Sequence, residues 1–178
     1  MAHAFPKTCQ QRTVGNAKLI GQHIEHMCLA IFIAADYPLP ITPKEQHLNQ
    51  MRVSDLLPEQ ESMRKRFSKP YIYEVTTNGD GCACAFQYEP DWEGEPLIAE
   101  ENERSRACLS QLSAYLAAAL NSSGQLELYA GYCDELDGPP TYHGTITPEQ
   151  LSLSRLNQEE RKFFTISKSI SDPLPREK

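Results

Sequence analysis

The chain contains no apolar run approaching the ~20 residues a membrane-spanning helix needs, which removes that class of protein from consideration. Met1 to Gln11 carries a single Lys and no apolar core, so a secretory signal is not read there. Clustered basic residues are scarce: Lys and Arg number 17 against 24 Asp and Glu, a formal charge of −7. Phosphate backbones need dense Lys and Arg, so nucleic acid is not an expected partner. The one short basic stretch, Arg64-Lys65-Arg66 with Lys69, reads as the solvated face of a helix. No phosphate-binding glycine loop, nucleophile elbow or paired Cys-x-x-Cys knuckle is present.

What is present fits one α+β domain of 178 residues with loops rich in its 13 prolines. Residues 1–22 are polar and aperiodic and read as a flexible lead, 23–168 as a single domain, and 169–178 as a disordered tail. His26 to Ile33 is apolar on both alternations, the pattern of a central strand covered on both faces. Tyr71 to Thr77 alternates in β-favouring residues, and Asn78-Gly79 supplies a turn. Cys82 to Tyr88 then reads as the returning arm of a hairpin, with Cys82, Cys84, Phe86 and Tyr88 on one face.

Helices are expected over Pro58–Phe67 and Leu97–Leu120. The first has Pro at an allowed position, acids early and bases late; the second has an apolar stripe through Cys108, Leu112, Tyr115, Leu116 and Leu120. Thr42 with Glu45, and Thr147-Pro148-Glu149-Gln150, carry capping-box patterns. Further strands are read at Gln125–Cys133, at Tyr142–Ile146 as an edge, and at Phe163–Ile166. The resulting order points to an antiparallel or mixed sheet with two main helices on one face. The nearest arrangement is a ferredoxin-like split βαβ with a C-terminal extension.

Six cysteines in a chain of this length, with no secretion signal read, point to reduced thiols and a cytoplasmic setting. Among them His26, Cys28, Cys82, Cys84 and Cys133 are candidate metal ligands, because thiolate and imidazole suit zinc. The Cys-x-Cys spacing lacks the turn that wraps a metal, and packed thiols are the favoured alternative. In a split βαβ sheet, moreover, Cys82 and Cys84 fall at the far end of the central strand from His26 and Cys28. That separation leaves Cys133, Cys28 and His26 as the set the topology brings together.

Two other groups carry candidate chemistry. Asp91, Trp92 and Glu93 form an acidic loop around the chain's one Trp, suited to a basic protein partner. His143, in a glycine- and proline-rich loop, could serve a cysteine nucleophile or a ligand. Neither a substrate nor a cofactor is specified by these residues. The expectation is therefore a non-enzymatic binding or interaction protein, with a zinc- or thiol-dependent protein and a Cys-dependent enzyme as alternatives.

Overall fold

The computed structural model describes residues 28–42, 50–77, 83–86, 96–133, 136, 138–156 and 161–169. Six strands form one mixed sheet: β1 (Leu29–Ala35), β2 (Met51–Asp55), β3 (Tyr71–Thr77), β4 (Gln125–Tyr132), β5 (Tyr142–Ile146) and β6 (Lys162–Ser167). Their order across the sheet is β2-β3-β1-β4-β6-β5. All neighbours are antiparallel except β5 and β6. The long helix α1 (Pro96–Ala119) and the short α2 (Leu153–Leu156) complete the set, with 3₁₀ segments at Pro58–Arg66, Cys84–Phe86 and Pro148–Gln150.

β1 lies at the centre because all seven of its residues are apolar and can be buried on either side. Its odd-numbered residues Leu29, Ile31 and Ile33 join Val53, Val75, Leu126, Leu128, Phe164 and Ile166 in the main core. α1 closes that core. Cys108, Leu112, Leu116 and Ala119 recur at intervals of three and four, so they form one buried stripe on the helix. The even-numbered Ala30 and Phe32 face the opposite way, into a smaller cluster with Met63, Tyr129 and Leu136. Met63 belongs to the 3₁₀ segment 58–66, which therefore covers part of the second face.

Several expectations meet the structure directly. β1, β3, β4, β5, β6 and α1 lie within a few residues of where periodicity puts them, and β5 is the outer strand. The Thr147 capping box forms, with the Thr147 amide donating to Gln150 Oε1 at 3.0 Å. The two-helix face does not form. The Pro58–Arg66 segment is 3₁₀ and sits across the sheet from α1. β1 lies antiparallel between β3 and β4, the two strands that α1 connects, as in a split βαβ unit, but the chain order of the elements is not the β-α-β-β-α-β of a ferredoxin-like sheet.

Of the hairpin's expected second arm, Cys82, Gln87 and Tyr88 lie outside the described residues, and Cys84–Phe86 is a 3₁₀ turn where a strand was expected; Phe86 is buried with Leu112 and Leu116 in the main core. The strand that borders β3 instead is β2, whose five residues were too short and too charged to stand out. Its free edge is satisfied by Thr42, which donates its amide to Val53 O at 2.8 Å and accepts from the Val53 amide at 3.0 Å through Oγ1. The Met51 amide donates to Gln111 Oε1 of α1 at 2.9 Å. An edge so occupied is protected from pairing with another chain. Thr42's hydroxyl thus serves β2; the rest of its expected helical turn lies outside the described residues.

Candidate binding cleft

The second face of the sheet is built from the strand positions that alternate with the main core. It carries Arg52, Ser54, Glu74, Thr76, Glu127, Tyr129 and Phe163 beside the apolar Ala30 and Phe32. Burying a carboxylate is costly unless donors meet it. Each buried acid here has its own. Gln60 of the 3₁₀ segment donates Nε2 to Glu74 Oε1 at 2.6 Å while its own Oε1 accepts from the Leu57 amide at 3.0 Å. Burial nevertheless holds the Glu74 carboxyl above its ordinary range, opposed in part by the Gln60 bond. Glu127 accepts from both the amide and the hydroxyl of Ser68, the amide at 2.9 Å.

These bonds lay the segment 58–70 over one half of the face. At its end Arg66 turns inward, donating Nη1 to Gly138 O and Nη2 to Leu136 O, with its guanidinium 5.5 Å from the centre of the Tyr129 ring. A guanidinium over an aromatic face is favourable, and its fork suits paired carbonyl acceptors. At the far side Gly138 leaves room for Arg161: a Cβ there would stand 2.6 Å from the guanidinium carbon, and the end of the Arg161 side chain would have to shift. Arg161 Nε donates to Pro139 O at 2.8 Å, which holds the 138–140 loop from its other side.

Between the segment, this loop and the ends of β4, β5 and β6 lies an open depression of about 590 Å³. Lys65, Arg66, Ser68, Glu127, Pro139, Pro140, His143 and Phe163 line it. Phe163 forms part of its floor, its ring centre 5.8 Å from that of Phe67 and 5.5 Å from that of His143. Ligand sites of this volume, apolar with a few convergent polar groups, are common in small-molecule binding proteins.

Of the residues singled out from sequence, His143 lies in this cleft, exposed on β5. Among the described residues that line it there is no cysteine. His26, Cys82, Asp91, Trp92 and Glu93 lie outside the described residues. Cys28 and Cys84 are each held in a disulfide, which overturns the expectation of reduced thiols at both positions. A disulfide sulfur carries no thiolate, so in this state neither is a metal ligand. Cys133 and Cys108 are not in disulfides; Cys133 is half-buried, and Cys108 is buried in the α1 stripe, where desolvation raises its pKa. No cluster of three His, Cys, Asp or Glu placed to hold a metal occurs among the described residues.

The separation argued for Cys84 is corrected too; Cys82 lies outside the described residues. The Ala83 amide donates to Leu29 O at 3.0 Å, and the Cys133 amide to Cys28 O at 2.8 Å. Cys28, Cys133 and the residue before Cys84 therefore come together at the start of β1.

Lys65, Arg66, Ser68, Glu127 and Phe163 were not singled out for the cleft from sequence. Arg66 belongs to the basic stretch read as a solvated helix face, and only its inward turn distinguishes it from exposed Arg64. No match is found for this chain among protein-family models, curated proteins or solved structures. Class rests on the structure itself, which is α+β, and no helix among the described residues is long and apolar enough to cross a membrane.

Proposed function

We propose that this is a non-enzymatic binding protein whose recognition site is the cleft on the second face of the sheet. The observation that carries this reading is the convergence of Lys65, Arg66, Ser68 and His143 around the half-buried Phe163 ring in an open depression of about 590 Å³. Those side chains come from three separate parts of the chain, and the frame holding them is fixed by hydrogen bonds from Ser68, Arg66 and Arg161. A preorganised site loses little conformational freedom when it is filled. The ¹⁵N-labelled full chain is to be titrated with a library of small-molecule fragments and short peptides. Saturable shifts confined to Lys65, Ser68, His143 and Phe163 support the reading, and a library that leaves all four unmoved overturns it.

A thiol-dependent function is the second reading, favoured by the meeting of Cys28, Cys133 and the residue before Cys84 at one strand end. Disulfides at Cys28 and Cys84 favour oxidising surroundings over the cytoplasm. On reduction the same sulfurs would become candidate ligands for zinc. Thiol titration of the native protein, with elemental analysis before and after reduction, separates these states. Metal taken up in stoichiometric amount only after reduction supports the zinc form, and no uptake in either state removes it.

The acidic segment containing Asp91, Trp92 and Glu93 remains the proposed contact for a basic protein partner. Substituting Asp91 and Glu93 with Asn and Gln, and measuring retention of the protein on a basic peptide column, tests that contact separately from the cleft.

A further inference from the structure

Resting on the cleft being a binding site, we infer that its ligand class is a small aromatic anion, a flat ring bearing a carboxylate or phosphate. Charge is the first argument. The chain is acidic overall, with a formal charge of −7, yet the described side chains that line the cleft include two cations, Lys65 and Arg66, against one carboxylate, Glu127. Lys65 is exposed, and no carboxylate forms a salt bridge with it among the described residues. Arg66 spends Nη1 and Nη2 on neutral carbonyl oxygens, so its charge is held in place without being neutralised.

The one acid in the described lining, Glu127, is 8% exposed and has both oxygens engaged by Ser68, so its oxygens are not available to a ligand. Its charge offsets one of the two cations. Among the described residues the lining therefore keeps a net positive charge, with Lys65 the accessible part of it. In a partly desolvated hollow that imbalance attracts an anion more strongly than the same charges would on a flat surface.

Shape and apolar lining supply the rest. Phe163, His143, Pro139 and Pro140 form flat walls beside the cations. His143 packs obliquely against Phe163, ring centres 5.5 Å apart and planes 39° apart, so the pair presents an aromatic surface against which a ligand ring can pack. A purely inorganic anion would leave those walls unused, and a neutral ring would leave Lys65 and Arg66 unmet. A ring carrying an anionic group uses both.

The test is titration of the ¹⁵N-labelled full chain with four probes: benzoate, phenyl phosphate, benzyl alcohol and benzylammonium. The expected result is saturable shifts at Lys65, Ser68, His143 and Phe163 with the two anions, at a Kd at least tenfold below that for benzyl alcohol. Benzylammonium is expected to be the weakest of the four. Lys65→Glu should weaken the anions tenfold or more and leave benzyl alcohol unchanged; Lys65 is exposed, and an unchanged amide spectrum confirms that the variant folds. Benzyl alcohol or benzylammonium binding in the cleft as tightly as benzoate overturns the anion while leaving the cleft a binding site. Shifts from none of the four, while fragments of other classes still move these residues, overturn the aromatic anion alone. If the fragment library also fails, the binding site itself falls.

Discussion

The two faces of the same sheet are built from alternating residues of the same strands, yet they are stabilised in opposite ways. The face under α1 is a continuous apolar surface of Ile, Val, Leu and Phe closed by one 24-residue helix. The other carries Glu74, Glu127 and Arg52 among a few apolar residues, and is covered only in part, by a 3₁₀ segment held through individual polar bonds. Hydrophobic burial is non-directional, so the first face tolerates some rearrangement. Hydrogen bonds are directional and leave a penalty when one partner is lost, so the second face holds its groups in defined places. The contrast separates the part of the molecule that holds the fold from the part that can recognise something.

The largest effect expected from this contrast is on the apolar face. Leu112→Ala removes a side chain with no exposed surface from the centre of the α1 stripe, and should cost about 2–5 kcal/mol in urea unfolding. Glu127→Ala, on the other face, removes both acceptors of Ser68 and should cost about 1–3 kcal/mol in the same measurement. If Glu127→Ala proved the costlier of the two, the division between a stabilising face and a recognition face would fail.

Glu74 sharpens the comparison through pH. Its folded pKa is raised above the ordinary 4.5 by burial, so between 4.5 and the raised value the folded chain binds more protons than the unfolded one. Its contribution to stability is full below that window and is lost as pH rises through it. Glu74→Gln keeps an acceptor for Gln60 and has no proton to lose; following unfolding free energy over this pH range should show the downward slope reduced in the variant. The smallest effect belongs to Lys65→Ala. An exposed side chain without an ion-pair partner among the described residues should change stability by no more than about 0.5 kcal/mol, while it diminishes anion binding.

Strand positions were legible wherever two alternating sets of side chains met different surroundings. β3 and β4 were read because Tyr73 and Val75, or Leu126 and Leu128, recur at every second position among residues of another kind. β2 escaped because five residues, one of them Arg and one Asp, give too few repeats to establish a period. The returning hairpin arm was read into Cys82–Tyr88 from alternation and the Asn78-Gly79 turn signal. Over Cys84–Phe86 the chain is a 3₁₀ turn instead, which buries Phe86 beside Leu112 and Leu116.

Of the cleft, only His143 was legible. The residues around it come from the 3₁₀ segment, β4 and β6, and no spacing rule joins positions so far apart. The basic stretch at 64–66 looked uniform because helical periodicity was assumed; a 3₁₀ segment has three residues per turn, and its final residue bends away from the other two. The cysteines were misread for a related reason. Oxidation depends on which sulfurs the fold brings together, and Cys28 and Cys84, far apart in the chain, are each disulfide-bonded.

The amino-acid sequence by itself determined the α+β class, the central place of β1 and the buried stripe of α1. Each follows from local periodicity in the burial of apolar side chains, a property that neighbouring residues carry together. The tertiary structure decided the strand order, the partners of Glu74, Glu127 and Arg66, and the cleft they frame. Those rest on single directional contacts between residues distant in the chain, and the energy of such a contact exists only once the fold has brought its two members within hydrogen-bonding distance.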